Sequence, residues 1–277
     1  MKTWKQPLPG YEWLIHQVWL IEVDEGEIIE PKPHLIPNSR AHLLFTPPQQ
    51  PYSYDNGHSQ LQGLGSHLLT ASEHLLLLED QAPLLRIGIT FRPEGLKLLN
   101  SNAVVAPNQC EWFEWLPCLF DDDFQRHLLA STARNDILEH IHQHLDKLGL
   151  TPPVDRNDKM IQKAVSVIDS ILDHNDHVDI EALAEQCACS RRTLERTFKD
   201  MVGLSIKQYQ KMTRLEQMIL SLYQQDQEVD WSDFAQQFGF SDQSHLIRTL
   251  KQQLKRTPSK YLKNRDLTID IYGDFED

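Results

Sequence analysis

Apolar residues recur along this chain with two periods, and the change of period divides it. From Tyr11 to about Cys110 they form short runs, among them Leu14-Ile15, Val18-Trp19-Leu20-Ile21, Ala41-His42-Leu43-Leu44-Phe45, Leu75-Leu76-Leu77-Leu78 and Leu84-Leu85-Arg86-Ile87-Gly88-Ile89. Pro31-Lys32-Pro33, Pro47-Pro48, Asn56-Gly57 and Gly63-Leu64-Gly65 separate them. Short strands punctuated by turn formers predict an antiparallel β sandwich or barrel. From Phe120 to Leu148 the period turns helical, with Leu128, Leu129, Ile137, Leu138, Ile141, Leu145 and Leu148 on one side. Gly149-Leu150-Thr151-Pro152-Pro153 then reads as a linker.

Beyond the linker the chain says nearly the same thing twice. Leu183-Ala184-Glu185-Gln186-Cys187-Ala188-Cys189-Ser190 is echoed by Phe234-Ala235-Gln236-Gln237-Phe238-Gly239-Phe240-Ser241. Ala184 and Ala235, like Ser190 and Ser241, are 51 positions apart, whereas Leu194 and Leu246, Arg196 and Arg248, Lys199 and Lys251, and Tyr209 and Tyr261 are 52 apart. One residue has been gained after the turn. Ile180, Leu183 and Ala184, then Leu194, Phe198 and Met201, recur at helical spacing, so each copy predicts a helix, a tight turn and a second helix. Ser190 and Ser241 are placed to cap the second helices. This is a helix-turn-helix pattern, whose second helix enters the major groove of DNA.

Helical phase selects the residues that face the groove. With Leu194 and Phe198 inward, Arg192, Glu195, Arg196 and Lys199 point outward, and Arg191 flanks them; in the second copy Gln243, Ser244, Ile247, Arg248 and Lys251 are outward. Arg holds guanine edges, Gln holds adenine, Ile touches a thymine methyl, and Lys meets phosphate. Glu195 accepts from cytosine or pairs with a neighbouring Arg. Ser205 to Tyr223 predicts a helix with Ile206, Tyr209, Met212, Leu215, Ile219 and Leu222 as its stripe. At 1.5 Å per residue it would be about 28 Å long. Groove segments on one DNA face lie roughly 34 Å apart, so one chain would read a site of about two turns.

The net charge of −13 changes the picture only when located. Residues 1–150 carry −9, residues 151–265 carry +1 and residues 266–277 carry −5. Arg191, Arg192, Arg196, Lys199, Lys207, Lys211 and Arg214 form one basic cluster. Arg248, Lys251, Lys255, Arg256, Lys260, Lys263 and Arg265 form another with no acid among them. DNA meets the local field, screened beyond about 8–10 Å. The tail Asp266 to Asp277 is expected to be solvated and disordered.

The remaining chemistry is sparse. Cys110, Cys118, Cys187 and Cys189 lack zinc-finger spacing and are expected to pack. His140, His142 and His144 alternate by two, which spreads rings around a helix and predicts surface histidines rather than a metal site. Trp13, Trp19, Phe45, Tyr52, Tyr54, Phe91, Trp112 and Trp115 either line a ligand pocket or form ordinary core. No nucleophile motif, phosphate loop or zinc-protease motif occurs, so neither an enzyme nor a bound cofactor is predicted. No apolar run of 18 residues and no signal-type segment occurs, which predicts a cytoplasmic protein without a membrane partner.

The segment from about Lys159 to Lys263 resembles the DNA-binding domain of the AraC/XylS family of bacterial transcription regulators. Phe238-Gly239-Phe240-Ser241-Asp242-Gln243-Ser244, Arg248, Lys251 and Thr257-Pro258-Ser259-Lys260-Tyr261 carry the resemblance. It implies two recognition helices in consecutive major grooves. The chain departs from the family at Ala188, where a turn Gly is usual, at Leu250, where Phe is usual, and at Leu254-Lys255, where Phe-Gly is usual; the last turn of the second recognition helix is expected to be shaped differently. Pro37-Asn38-Ser39-Arg40-Ala41-His42-Leu43-Leu44-Phe45 and Gly88-Ile89-Thr90-Phe91-Arg92-Pro93-Glu94-Gly95 resemble sensor-like N-terminal domains of one branch of the family. In sugar-sensing members, helices placed like Phe120 to Leu148 pair two subunits; the other reading is a helix packed on its own sheet.

The expectation is an α+β chain of two domains: a mainly antiparallel β regulatory domain over residues 1–150 and an all-α double helix-turn-helix domain over 151–265, followed by an acidic tail over 266–277. Its function would be sequence-specific DNA binding and transcription regulation, with activation implied by the family. DNA contacts fall to Ser190, Arg191, Arg192, Glu195, Arg196, Lys199, Ser241, Gln243, Ser244, Ile247, Arg248, Lys251, Lys255 and Arg256. Double-stranded DNA is the partner; RNA polymerase, a small-molecule effector in the N-terminal domain and a second copy of the chain are the further ones implied. The alternative is a protein-interaction module that no longer reads DNA.

Overall fold

The computed structural model describes residues 1–29, 33–103, 106–173, 178–223 and 229–263. The acidic tail and Arg265 lie outside them. In the N-terminal half the strands are β1 (Lys2–Gln6), β2 (Ile15–Val23), β3 (His34–Leu35), β4 (His42–Phe45), β5 (Pro51–Asp55), β6 (Gln60–Leu64), β7 (His67–Leu69), β8 (Leu76–Leu78), β9 (Leu84–Phe91) and β10 (Cys110–Glu111). They build a six-stranded sheet in the order β1-β2-β9-β4-β7-β10 and a four-stranded sheet in the order β3-β8-β5-β6, antiparallel throughout.

The six-stranded sheet is buried on both faces, which explains why its strands read as continuous apolar runs rather than alternating ones. Along β2, Val18 and Leu20 join one core while Trp19 and Ile21 join another. The second core lies between the sheets, where Trp19, Leu44, Tyr54, Leu76 and Leu78 meet. Trp19 is paired across the ladder with Gly88, and any Cβ at Gly88 would stand 2.0 Å from the indole ring. Trp19, Phe45, Tyr54 and Phe91 are thus fully buried packing groups, so the core reading of the aromatics holds for them.

The first core is closed by two helices, α2 (Asp122–Ala130) and α3 (Arg134–Lys147), which follow the short α1 (Gly95–Leu99). Leu128, Ile137, Leu138, Ile141 and Leu145 are buried against Phe45, Ile87 and Ile89. Most of the apolar stripe therefore packs on the chain's own sheet, with Leu129 and Leu148 only partly buried. His140 stacks on Phe124 at 5.0 Å between centroids, and the His144 ring nitrogen lies 2.6 Å from the Leu119 carbonyl oxygen. These two are packed rather than surface histidines. No group of three or more metal-ligating side chains occurs among the described residues.

The C-terminal half is helical: α4 (Arg156–Asp173), α5 (Ile180–Gln186), α6 (Arg191–Val202), α7 (Ile206–Tyr223), α8 (Trp231–Gln237), α9 (Gln243–Leu254) and α10 (Pro258–Lys263). No helix among the described residues is long and apolar enough to cross a membrane. The β half reaches into both helical cores: Ala71 belongs to the core of α4 to α7, and Ile36 to that of α7 to α10. Polar contacts tie the same junction. Arg40 Nη1 lies 2.6 Å from Glu216 Oε1 with both side chains largely buried, Gln208 Nε2 donates to Glu73 Oε1 at 2.7 Å, and Gln162 Nε2 donates to the Trp13 carbonyl at 3.2 Å.

Buried histidines make the β half acid-sensitive. His67 bridges the Gly65 carbonyl oxygen through Nδ1 at 2.9 Å and the Tyr54 hydroxyl through Nε2 at 2.7 Å. A neutral ring donates to the carbonyl and accepts from the hydroxyl. Burial lowers its pKa to about 3, and burial beside Arg40 likewise lowers that of His42 to about 3. Below pH 6.5 the unfolded chain takes up protons that the folded chain refuses, so stability declines as pH falls. Denaturant unfolding at pH 7.5, 6 and 5 should show a loss of up to about 1.4 kcal/mol per pH unit for each such histidine. His67→Gln should flatten the slope by one proton; an unchanged slope would contradict this account.

Candidate nucleic-acid interface

Each helix-turn-helix begins at an aspartate. Asp179 accepts from the Glu181 N–H at 2.9 Å, and Asp230 accepts from Ser232 N–H at 2.8 Å. Both first helices end alike: the Cys189 N–H donates to the Ala184 carbonyl at 3.1 Å, and the Phe240 N–H to the Ala235 carbonyl at 2.8 Å. That turn requires a left-handed residue, and Ala188 at φ +51° stands where Gly239 has φ +63°. Its Cβ costs about 1 kcal/mol in this conformation, but the turn keeps its shape.

The caps of the second helices correct the sequence reading. Ser190 caps α6, accepting from the Thr193 N–H at 3.2 Å. The cap of α9 is Asp242, not Ser241: Asp242 Oδ1 accepts from the His245 N–H at 2.8 Å, while the Ser241 hydroxyl donates to Asp242 Oδ2 at 3.1 Å. Those hydrogen bonds hold the Asp242 carboxyl below its usual range. Ser241 is therefore the inserted residue, and Ser190 to Asp242 restores the spacing of 52. The far ends also agree. Gly203 (φ +79°) and Lys255 (φ +56°) both adopt the left-handed cap, so the last turn of α9 is not reshaped by the missing glycine.

Leu194, Phe198 and Met201 of α6 are buried, as are Leu246, Leu250 and Leu254 of α9. On the opposite face Arg192, Arg196 and Lys199 are exposed and make no ion pair among the described residues. Arg191 instead bridges Glu181 at 3.0 Å and Glu195 at 3.1 Å, so Glu195 takes the pairing role that the sequence allowed. Those two acids raise the Arg191 pKa further. In α9, Gln243, Ser244, Arg248 and Lys251 are exposed, Ile247 is half-buried, and Lys255 is exposed beyond the helix. Arg256 is half-buried, and burial, with the charge of Arg256 adding to it, lowers the His34 pKa to about 4. Part of Arg256 thus faces the β half rather than solvent.

Helix α7 joins the two units. Its first turn is held by a reciprocal cap: the Gln208 N–H donates to Ser205 Oγ at 3.2 Å and the Ser205 N–H to Gln208 Oε1 at 2.9 Å. Arg214, which phase reasoning about the recognition helices passed over, lies with its guanidinium 5.1 Å above the Phe240 ring, beside the second turn. Its signal was the basic spacing Lys207, Lys211, Arg214 on one face of α7. Cys187 and Cys189 are half-buried against the core of α4 to α7, while Cys118 is exposed and does not fit the packing expectation.

A family profile described as a helix-turn-helix domain matches residues 183–264. The probable transcription factor PqrA of Proteus vulgaris is 27% identical over 107 residues, covering 39% of this chain and 86% of PqrA. The transcriptional activator RhaS of Escherichia coli (strain SE11) is 32% identical over 91 residues, 33% of this chain and 32% of RhaS. Over residues 183–264 the chain carries this helix-turn-helix domain. The alignment takes in about a third of RhaS, and these two relatives carry names of transcription regulators rather than of enzymes. A structure of ToxT from Vibrio cholerae aligns over 95% of this chain and 98% of that one, at 11% identity and a TM-score of 0.48.

The caps and turns of the helix-turn-helix domain generate two tests. Asp242→Ala should lower the thermal midpoint by roughly 2–4 °C while Ser241→Ala leaves it nearly unchanged. Ala188→Gly should stabilise by about 1 kcal/mol, read by denaturant unfolding, because the strained Cβ is removed. A larger effect from Ser241→Ala, or destabilisation by Ala188→Gly, would contradict the assigned geometry.

Proposed function

We propose that this chain is a sequence-specific transcription regulator, of the activating kind, whose residues 151–265 read two adjacent major-groove segments under the control of residues 1–150. The observation that carries the reading is the pair of capped helix-turn-helix units with outward basic faces, joined by α7. Its 18 residues make a strut of about 27 Å, close to the 34 Å groove repeat. Arg192, Arg196, Gln243, Ser244, Ile247 and Arg248 are the base-reading residues. Ser190, Arg191, Lys199, Ser241, Lys251, Lys255 and Arg256 meet the phosphates, with Glu195 steering Arg191.

The control function rests on the contacts of Ile36, Ala71, Arg40 and Glu73 with the helical half. RNA polymerase, a small-molecule effector and a second copy of the chain are the partners this role calls for, and the cytoplasm is its place of action. The strained Ala188 turn does not favour the protein-interaction alternative, since it keeps the geometry of its glycine-bearing counterpart.

Binding of variants to a selected site and to random duplex separates the roles. Arg192→Ala and Arg196→Ala should each reduce the ratio of specific to non-specific affinity by roughly 5- to 100-fold. Lys255→Ala should weaken both DNAs alike and lower the salt slope by about one. Equal losses on both DNAs for all three variants would contradict the assignment.

A further inference from the structure

One acidic side chain is sealed where the two halves meet. Glu94 stands just before α1 and is 0% exposed, and neither Oε1 nor Oε2 receives a hydrogen bond of ordinary geometry from a described residue. The backbone cannot draw it aside. A Cβ on the next residue, Gly95, would stand 2.8 Å from the Leu14 carbonyl oxygen and 2.9 Å from Phe91 Cβ, so this segment is pressed against the β half.

The groups facing Glu94 come from both halves. On α4, Asp169 shares its field and accepts from the Tyr209 hydroxyl of α7 at 2.6 Å, and Gln162 stands beside the carboxyl with Nε2 donating to the Trp13 carbonyl at 3.2 Å. Tyr209 feels the charge of Glu94 in turn. On the β side the nearby cation is Arg92, while Arg40 is held by Glu216 of α7 at 2.6 Å. Lys97 of α1 is turned to Asp200 of α6 at 3.9 Å, and Leu98 packs against both the β core and the core of α4 to α7.

An ionised carboxylate here would be buried without full compensation and would face a second carboxylate, a cost the neutral acid avoids. Burial pushes the carboxyl up and Asp169 adds to the rise; the backbone N–H, Arg92 and Gln162 oppose it without reversing it. From this burial and placement we infer that the junction is a proton-linked latch: the halves close on Glu94 as the neutral acid, and loss of its proton to water sets two carboxylates against each other and loosens α4 and α7 from the β half. The sign is opposite to that of the buried histidines. A carboxyl that keeps its proton more tightly in the folded chain contributes stability that is lost as pH rises through its folded value. The histidines act below pH 6.5, so above it the latch is read free of them. Because α7 carries both helix-turn-helix units, opening reaches both recognition helices; that consequence for DNA rests on the proposed function, and the latch itself does not.

The test uses the full chain without DNA, so that it stands or falls apart from the DNA-binding reading. Infrared spectra at pH 6.5 should show a protonated carboxyl band that fades as pH is raised to 8.5 and is missing from Glu94→Gln, which keeps the shape and cannot ionise. Trypsin cleavage at the exposed Lys147 and Arg156, on either side of the linker, should rise over the same range by about threefold or more relative to Glu94→Gln. Asp169→Asn removes only the facing charge and should move the fading of the band to lower pH, which keeps the test decisive where Glu94→Gln does not fold. Absence of the band at pH 6.5, an equal rise in cleavage in the native and Glu94→Gln chains, or an unmoved band in Asp169→Asn would overturn the proposal.

Discussion

One helix serves two hydrophobic cores, and the helical half depends on that sharing. The first half of α7 supplies Ile206, Tyr209 and Met212 to the core of α4 to α6, and the second half supplies Leu215, Met218, Ile219 and Leu222 to the core of α8 to α10. Neither unit can bury its apolar faces without α7. An uninterrupted helix is stiff because every interior turn is closed by its own backbone hydrogen bonds. The separation of α6 and α9 is thus set by residue count, while the capped turns set how each presents its outer face.

Residues of the β half take part in those same cores. Ala71 enters one and Ile36 the other, and the Arg40–Glu216 pair crosses the junction largely out of water. Removing one member of such a pair strands a charge, so the two halves are energetically linked. Glu94, fully buried on the β side, has its carboxyl pushed up by burial, with Asp169 of α4 adding to the rise. A change in the loops bearing Ile36, Arg40 and Ala71 reaches both recognition units at once, which a contact with only one of them would not do.

Much of the helical half was legible because its signals are local and repeated. Apolar spacing marked the inward faces of α6 and α9, and the repeat of Ala184 at Ala235 marked the two units. The cap of α9 was misread because Ser241 and Asp242 are adjacent and both are good caps. The spacing of 52 shared by Leu246 and Arg248 pointed to Asp242. In the β half the runs announced strands, but burial on both faces, with α2 and α3 as an outer layer, depends on contacts distant in sequence. The engagement of Arg40 with Glu216, 176 positions away, left no local trace. Arg191 was legible as a basic residue, yet its capture by Glu181 and Glu195 needed the helix pair in three dimensions.

Selection of random duplex DNA on the full chain, with sequencing of what survives a salt challenge, tests the central claim most directly. The account predicts one enriched motif about two helical turns long, with two readable segments separated by roughly one turn, lost when Arg196→Ala and Arg248→Ala are combined. Absence of enrichment, from the full chain and from a chain lacking the acidic tail, would contradict site-specific reading of DNA.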